Sequence, residues 1–215
     1  MSNIYAFSGL DGAGKSTQID LLKEYLEKSE HKVLIFWGRG GYTPGMELLK
    51  KILRKSNAPI IPKEGGKTSE REEKLKSSFT RKVWLYLAVL DLFLYYGIYM
   101  RYKRLIGYSI ILDRYLVDTE IDFRLNFPKE KVTSWFIWRM LNKIAPSPDF
   151  HFLLTIPVEE SLRRSKLKNE PFPDTPEVLS FRLKKYTSLS KNYYHINCMN
   201  PLEKVSQEIQ NTIGL

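Results

Sequence analysis

Residues 4–18 read IYAFSGLDGAGKSTQ. Within them, residues 9–16 fit the phosphate-binding loop pattern G-x-x-x-x-G-K-[ST] at every fixed position. The apolar residues 4–7 lead into the loop as a buried strand would, and residues 16–30 carry apolar side chains at helical spacing. This order of strand, glycine-rich loop and helix predicts a domain that binds a nucleotide by its phosphates. The alternative is a plain glycine-rich turn, which would need all these features to coincide.

The chemistry of phosphate binding explains the residue types in the loop. Backbone N–H groups can surround a phosphate chain only where side chains leave room, which is the role predicted for Gly9, Gly12 and Gly14. Lys15 can reach the β- and γ-phosphates as a mobile point charge, and Ser16 can ligate Mg²⁺. The N-terminus of the following helix adds partial positive charge toward the anion.

Two motifs give the chain a family resemblance. Residues 7–18, FSGLDGAGKSTQ, resemble the loop of the thymidylate kinases, which typically read F-E-G-x-[DE]-G-x-G-K-[ST]-[ST]-Q. Ser8 stands where that family usually has glutamate. A second signature of the family, Asp-Arg-Tyr after a buried strand, is present at residues 113–115. The resemblance covers nearly the whole chain and is weakest over residues 55–107.

The composition is that of one globular domain. With 215 residues and 43% hydrophobic content the chain can bury a sizeable core, so we predict a single domain over residues 1–215, which the resemblance implies is a P-loop kinase domain. The single cysteine, Cys198, excludes an intramolecular disulfide, and the three histidines lack the spacing of a zinc site. No signal peptide is recognisable at the N-terminus, so we expect a cytoplasmic protein.

The net charge of +10 indicates acidic partners. Lysine and arginine are spread along the chain rather than collected in a tail, so attraction for the phosphates of a nucleotide explains the sign of the charge. We therefore expect a small-molecule nucleotide substrate. Nucleic-acid binding is the disfavoured alternative, and a binding assay at increasing salt would distinguish the two, because phosphate contacts to a polymer weaken steeply with salt.

Five strand signals alternate with helical segments. The predicted strands are residues 4–7, 32–37, 109–112, 149–156 and 194–197. After the first helix, the predicted helices are residues 46–54, 79–100, 157–164, 176–191 and 201–213. The aromatic side chains within residues 134–144 are interpreted as core or interface, and an aromatic platform for nucleic acid is the alternative. The alternation predicts an α/β fold of the P-loop NTPase class, a five-stranded parallel sheet flanked by helices on both faces, with the ligand at the carboxyl ends of the strands. The charged residues 55–76 predict an exposed loop.

Residues 83–100 contain one charge, Asp91, and raise the question of a membrane helix. Against that interpretation stand the minimal length, the carboxylate near the centre and basic residues at both ends. A helix buried by the sheet and by a second subunit explains the same pattern, so we expect no membrane span. The family resemblance implies a homodimer formed through this region.

The motif at residues 113–115 has a physical explanation of its own. A carboxylate at the carboxyl end of a strand beside the phosphate loop can hold Mg²⁺ or its waters, and a neighbouring arginine can clamp a phosphate. We therefore predict Ser16 and Asp113 as the metal site, and Arg114 as a catalytic residue that binds the acceptor phosphate. The alternative is a local ion pair that closes the end of the strand.

The resemblance implies further site residues. It places Arg39 on the acceptor phosphate and residues 164–176 in a lid, where Arg164 and Lys166 close over the transferring group. Solvated basic residues are the alternative for both. The predicted ATP-binding residues are Gly9, Asp11, Gly12, Ala13, Gly14, Lys15, Ser16 and Thr17, with Asp11 at the family's acidic position near the acceptor sugar. The predicted catalytic residues are Lys15, Asp113, Arg114, Arg39 and Arg164.

The phosphate-binding motifs predict a phosphoryl-transfer enzyme, and the resemblance implies a nucleoside monophosphate kinase that transfers the γ-phosphate of ATP, with Mg²⁺, to dTMP. One feature argues against dTMP as acceptor. Where the family has a segment like Phe-x-Ala-x-Arg, whose arginine hydrogen-bonds thymine, residues 87–92 read LAVLDL, with Asp91 near the place of that arginine. A related kinase for another nucleotide, a nucleoside or a sugar is therefore the main alternative. A P-loop ATPase associated with nucleic acid is less favoured, and the missing Asn-Lys-x-Asp motif disfavours a GTPase.

Overall fold

The computed structural model describes residues 2–38, 77–171, 173–189 and 193–214. Within these ranges five strands form one sheet in which every neighbouring pair is parallel. The strands are β1 Ile4–Gly9, β2 Lys32–Trp37, β3 Tyr108–Asp113, β4 Phe150–Thr155 and β5 Tyr194–Asn197. Their order across the sheet is β2-β3-β1-β4-β5, which confirms the predicted α/β P-loop architecture.

The described residues also form eight α-helices. They are α1 Lys15–Lys28, α2 Ser78–Leu94, α3 Met100–Leu105, α4 Leu116–Asn126, α5 Phe136–Ile144, α6 Val158–Leu167, α7 Pro176–Thr187 and α8 Leu202–Ile213. Two short 3-10 turns, Pro128–Glu130 and Val132–Ser134, lie between α4 and α5. The predicted helix over residues 46–54, the predicted exposed loop over residues 55–76 and Arg39 lie outside the described residues.

Alternate side chains of β1 pack on opposite faces of the sheet. Tyr5 and Phe7 are fully buried in one core with residues of α1, α7 and α8, whereas Ile4 and Ala6 are buried in a second core with residues of α2, α4 and α5. A strand buried on both faces reads as a continuous apolar run, which is why periodicity identifies this segment. Helices therefore flank both faces of the sheet, as predicted.

The long apolar segment forms one continuous helical stretch over residues 78–105, in which a π-helical turn, Tyr95–Tyr99, links α2 to α3. It is the one helix of the described part of the chain that is long and apolar enough to cross a membrane, a criterion that core helices also meet. Of its most apolar window, 39% is buried within the protein. Gly97 lets this helical stretch pack closely against α5, because a Cβ at this position would lie 2.5 Å from Ile144 Cδ1.

Two helices of the described residues were not predicted as helices: α5 lies in the aromatic segment interpreted only as core or interface, and α4 was not predicted from the hydrophobic pattern. The buried residues of α4 include the polar Asp118, Thr119 and Asp122 beside the apolar Ile121. Apolar residues at helical spacing are therefore too few to mark it. The boundaries of the predicted helices also differ slightly, since α7 ends at Thr187 rather than at residue 191.

Candidate active site

The candidate site lies at the carboxyl ends of the central strands. β1 runs directly into the phosphate loop, and its neighbour β3 ends at Asp113, opposite Phe7 in the register. A cleft of about 270 Å³ opens at this edge. It is lined by Asp11, Gly12, Gly14, Lys15, Ser16, Thr17, Trp37, Asp113, Arg114, Lys168 and Glu170. The structure thus brings the two sequence motifs to one cleft, because parallel strands end side by side.

Two glycines are required by the shape of the loop. Gly9 has φ +146°, and a Cβ there would lie 2.3 Å from the carbonyl oxygen of Leu154 on β4. Gly12 has φ +76°, and a Cβ there would lie 2.9 Å from Arg164 Cβ on α6. A larger residue at either position would adopt a strained backbone conformation and would collide with its neighbour. The loop therefore fits closely between β4 and α6.

Lys15 is buried at the cleft and is held by its own loop. Its Nζ donates hydrogen bonds to the carbonyl oxygens of Gly9 at 3.0 Å and Leu10 at 2.8 Å. Asp11 Oδ1 lies 3.9 Å from the same nitrogen. Burial, reinforced by the charge of Arg114, lowers the pKa of Lys15 to about 8. The ammonium group is thus held close to where phosphates would enter, and it loses its proton at mildly alkaline pH.

If the loop binds ATP as the sequence predicts, the pH dependence of ATP use should reflect the protonation of Lys15. Because kcat/KM reflects the free enzyme, we expect kcat/KM for ATP to fall as the pH rises through about 8, where Lys15 becomes neutral. Bound phosphate favours the charged lysine, so kcat should persist to higher pH. The measurement is a pH–rate profile at saturating acceptor, with circular dichroism as the control for folding. A flat kcat/KM for ATP from about pH 7 to 9 would contradict this expectation.

Asp113 and Ser16 provide the chemistry of a magnesium site. Oδ1 of Asp113 is buried and accepts no hydrogen bond from the described residues. Burial raises the pKa of this carboxyl, and the nearby charges of Lys15 and Arg114 oppose that shift. Ser16 lines the same cleft and is exposed. Mg²⁺ takes one or two protein oxygens and completes its shell with water and phosphate oxygens, so this carboxylate and hydroxyl fit it.

The described ranges contain no group of three or more His, Cys, Asp and Glu that could hold a metal ion. These residues therefore do not support the binding of a cation that is coordinated by protein side chains alone. A cation that binds chiefly through the phosphates of a nucleotide needs no such group.

Arg114 follows β3 in a left-handed backbone conformation, with φ +76°. Its backbone N–H donates to the carbonyl oxygen of Phe7 at 2.9 Å, which ties the turn to β1. The guanidinium pairs with Asp11, and its Nη1 lies 3.5 Å from Asp118 Oδ1. Burial acts to lower the pKa of Arg114, but Tyr186 and these two carboxylates raise it above its ordinary value. The arginine therefore lines the cleft as a permanent cation.

Arg164 is anchored to the phosphate loop. Its Nη1 donates to the carbonyl oxygen of Gly12 at 3.1 Å, and its Nη2 donates to that of Cys198 at 3.2 Å. One turn earlier on α6, Ser161 Oγ donates to the carbonyl oxygen of Asp11 at 2.6 Å. Two side chains of α6 thus hold consecutive carbonyl groups of the loop, which fixes the loop against this helix.

The predicted lid, residues 164–176, contributes Lys168 and Glu170 to the cleft lining. Arg164 and Lys166 are not among the lining residues. In this structure the lid segment therefore offers the cleft one cation, Lys168, while Arg164 contacts the loop backbone.

A buried polar network behind the loop was not foreseen from the sequence. Ser8 Oγ donates to Asp118 Oδ2 at 2.6 Å and lies 2.9 Å from His151 Nε2. Because the hydroxyl proton points to the carboxylate, the hydrogen-bond pattern assigns the proton of His151 to Nε2, which donates to Ser8. Burial lowers the pKa of His151 to about 4, so its ring is neutral near neutral pH. The one signal in the sequence was the serine at the position of the family's glutamate.

Stability should depend on pH through His151. The pKa is 6.5 for an ordinary histidine and about 4 in the folded protein, so the unfolded chain binds more protons between these values. The free energy of unfolding should therefore fall by about 3 kcal/mol as the pH falls across this window. His151→Gln keeps a nitrogen donor near Ser8 but does not titrate, and should lack this loss. Urea unfolding of both proteins from about pH 7 to 4 measures it, and parallel pH curves would contradict the assignment.

Comparison with known proteins agrees with this geometry. The family model for thymidylate kinase matches residues 7–209. The chain belongs to the thymidylate kinase family. It is therefore an ATP-dependent nucleoside monophosphate kinase, a phosphotransferase that acts on small nucleotides.

Curated thymidylate kinases resemble the chain along almost its full length. Thymidylate kinase of Thermosipho africanus is 29% identical over 219 residues, which cover 97% of this chain and 96% of that protein. Two probable thymidylate kinases are similar: that of Methanobrevibacter smithii is 27% identical over 210 residues, covering 97% and 92%, and that of Pyrococcus horikoshii is 25% identical over 210 residues, covering 96% and 92%. These identities support the family and leave the acceptor to be argued from the site.

Proposed function

We propose that the chain transfers the γ-phosphate of ATP to dTMP, giving dTDP and ADP, with Mg²⁺ as the metal. The observation that carries the proposal is the cleft at the ends of β1 and β3, which is lined by Lys15, Asp113 and Arg114 together. The family supplies the reaction class, and the names of the relatives suggest the acceptor.

The donor side of the reaction depends on positioning and charge neutralisation. The N–H groups of the loop and the N-terminus of α1 would receive the donor phosphates. Lys15 would exchange its present partners, the carbonyl oxygens of Gly9 and Leu10, for phosphate oxygens. Ser16 and Asp113 would hold Mg²⁺, which when bound neutralises charge on the donor phosphates. No nucleophilic side chain is required.

On the acceptor side, Arg114 is the described cation best suited to bind the monophosphate. Its guanidinium lines the cleft and pairs with the half-exposed Asp11. An incoming phosphate would displace Asp11 from the guanidinium, because it offers more charge and a bidentate geometry. Lys168, in the same cleft, would add positive charge near the transferring group. A role of Arg39 beside Arg114 stays a prediction.

Release of ADP in the presence of different acceptors tests this proposal. The panel contains nucleoside monophosphates, nucleosides and sugars, and dTMP is expected to give the fastest release, dependent on both acceptor and Mg²⁺. If an acceptor from another class is turned over faster, that compound replaces dTMP as the proposed acceptor and the kinase mechanism is retained. Hydrolysis of ATP that needs no acceptor and rises with nucleic acid would replace the kinase by an ATPase.

A different acceptor is favoured by one feature of α2. Asp91 is half-buried in the stretch where the family carries its thymine-reading arginine. If Asp91 faces the base, its carboxylate and a thymine carbonyl are both hydrogen-bond acceptors, and their juxtaposition would cost about 1–3 kcal/mol. An amino-bearing base or a hydroxyl-rich acceptor would then be preferred. The alternative is that Asp91 turns toward Arg81, Lys82 or another chain and does not contact the ligand. We propose to compare kcat/KM for dTMP and the other monophosphates in the native protein and in Asp91→Arg. Efficient, thymidylate-selective turnover by the native protein would refute exclusion of thymine by Asp91.

We also propose that two copies of the chain associate through the helical stretch over residues 78–105. The apolar side chains exposed along it are Phe79, Tyr86, Leu94, Ile98, Tyr99, Tyr102 and Leu105. A continuous apolar stripe of this length on a soluble enzyme is typical of a protein interface. Light scattering after gel filtration should give twice 25.3 kDa. Ile98→Glu should give the monomer, whereas Leu167→Glu, at an exposed apolar residue of α6, should leave the dimer intact.

The remaining expectations concern partners and location. Binding of nucleic acid is not required by the net charge of +10, since nucleotide phosphates account for it. A mobility-shift assay at increasing salt tests this expectation, because tight binding that weakens steeply with salt would reveal a polymer ligand. The cytoplasmic location stays a prediction from the sequence.

A further inference from the structure

The carboxylate of Asp118 is the centre of the buried network behind the phosphate loop. It lies in the first turn of α4, and its side chain is 1% exposed. Oδ2 accepts hydrogen bonds from Ser8 Oγ at 2.6 Å and from the backbone N–H of Tyr115 at 2.9 Å. Oδ1 accepts from the hydroxyl of Tyr186 at 2.7 Å and lies 3.5 Å from Arg114 Nη1. One carboxylate therefore joins β1, the end of β3, α4 and α7.

The two carboxylates beside Arg114 differ in their surroundings. Asp11 belongs to the loop, lines the cleft and has a side chain that is 37% exposed. Asp118 contacts the same guanidinium from the protein interior. A phosphate that enters the cleft can displace Asp11 but cannot reach Asp118. Asp118 is therefore suited to keep the orientation of Arg114 while its other partner changes.

Position 8 shows how this arrangement relates to the family pattern. Ser8 is fully buried at the position where the family's loop pattern has glutamate. Its hydroxyl oxygen lies 2.6 Å from the carboxylate of Asp118, so a carboxylate side chain two bonds longer at position 8 would reach the space that Asp118 occupies. Two carboxylates cannot both be charged in a buried space of this size without a large cost. This buried space therefore holds one carboxylate, that of Asp118, which comes from α4 instead of from β1.

We infer that Asp118 is a positioning residue that replaces the glutamate of the family's loop strand and holds the Arg114 guanidinium toward the acceptor phosphate. The inference rests on the proposed function, in which Arg114 binds the acceptor. It also explains why α4 begins with a buried carboxylate: the same oxygen that accepts from Ser8 accepts the N–H of Tyr115 at the start of the helix.

A reciprocal exchange of the two positions tests this inference. The variants are Asp118→Ser, Ser8→Glu and the double variant, and the readouts are Tm, the acceptor KM, the ATP KM and kcat. Asp118→Ser should raise the acceptor KM roughly tenfold and leave the ATP KM within about twofold. Ser8→Glu should lower Tm, because it buries a second carboxylate beside the first. The double variant should recover at least about fivefold in acceptor KM over Asp118→Ser and raise Tm above both single variants.

Two further variants separate positioning from general stability. Asp118→Asn keeps the size of the side chain and removes its charge, so it should reproduce the acceptor KM effect even if Asp118→Ser folds poorly. Glu120→Ser is the matched control, because Glu120 lies on the same helix with its carboxylate paired to Arg124 at the surface, and it should change neither KM nor Tm. A lowered Tm with unchanged acceptor KM in both Asp118 variants would overturn the positioning role.

Failure of the proposed acceptor is distinguishable from failure of this inference. The assay uses whichever acceptor the native protein turns over fastest, so selection of an acceptor other than dTMP leaves the comparison intact. The Tm values of the four proteins need no acceptor. If the double variant shows neither a higher Tm nor a lower acceptor KM than the single variants, the proposed exchange of the carboxylate between positions 8 and 118 is overturned.

Discussion

Lys15→Ala is expected to lower kcat by about 10²-fold or more while the protein stays folded, because it removes a preorganised cation from the developing charge on the transferring phosphate. In the structure this ammonium group is buried, aimed at the carbonyl groups of its own loop and 3.9 Å from Asp11. The other cations that line the cleft, Arg114 and Lys168, are assigned to the acceptor phosphate and the transferring group, so they should not replace the lost charge. Methionine at this position would test the charge separately from the volume of the side chain.

The measurement is ADP release at saturating ATP and acceptor, with Tm as the control for folding. Lys23→Ala is the matched control, since Lys23 is partly exposed on the same helix and pairs with Glu27 at 3.8 Å. It should retain native turnover. Near-native turnover by Lys15→Ala would contradict the assignment of this loop as the donor site.

Asp113→Asn is expected to lower kcat on the order of 10²-fold and to raise the Mg²⁺ concentration needed for half-maximal activity. The substitution keeps the size of the side chain but replaces the charged acceptor, whose buried Oδ1 has no partner among the described residues, by a neutral amide. Because the uncharged amide attracts a cation less, part of the activity should return at high Mg²⁺.

Arg114→Ala provides the contrast to Asp113→Asn, because an acceptor clamp and a metal ligand should fail differently. Arg114→Ala should raise the acceptor KM as well as lower kcat, with an unchanged Mg²⁺ requirement. Titration of both variants with Mg²⁺ and with the acceptor separates the two roles. If Arg114→Ala leaves acceptor KM and kcat untouched, the pair at the end of β3 is structural.

The parts of the fold that the sequence predicts are those in which one physical pattern dominates. β1 is buried on both faces, so residues 4–7 are all apolar, and the loop that follows needs glycine at Gly9 and Gly12 for backbone conformation and space. The five strands and their parallel order follow from such runs separated by helices.

The parts that escape prediction are those in which buried polar groups replace apolar ones. Helix α4 buries the polar Asp118, Thr119 and Asp122 as well as three apolar residues, so polar side chains interrupt the hydrophobic periodicity of its inner face. The contact between Ser8 and His151 joins residues far apart in the chain, and although Ser8 departs from the loop motif, nothing in the sequence identifies His151 as its partner. Partners of this kind become visible only when strand register brings them together.

The candidate site divides in the same way. The loop and the Asp113-Arg114 pair were predicted from motifs whose spacing is set by phosphate chemistry, and the structure places them in one cleft. The contacts of Arg164 were not predictable, because its hydrogen bonds are to backbone carbonyl groups of Gly12 and Cys198, which leave no trace in residue identity. The sequence therefore predicts a cation in this region, but whether its side chain contacts the ligand or the protein backbone depends on the folded structure.

The most direct test of the central claim is to identify the product formed from ATP labelled at the γ-phosphate and dTMP. We expect the label to appear in dTDP, in amounts equal to the ADP formed, in a reaction that requires Mg²⁺ and is lost in Lys15→Ala. Appearance of the label only as inorganic phosphate, or its transfer to another acceptor while dTMP is ignored in a competition mixture, would contradict the proposed function.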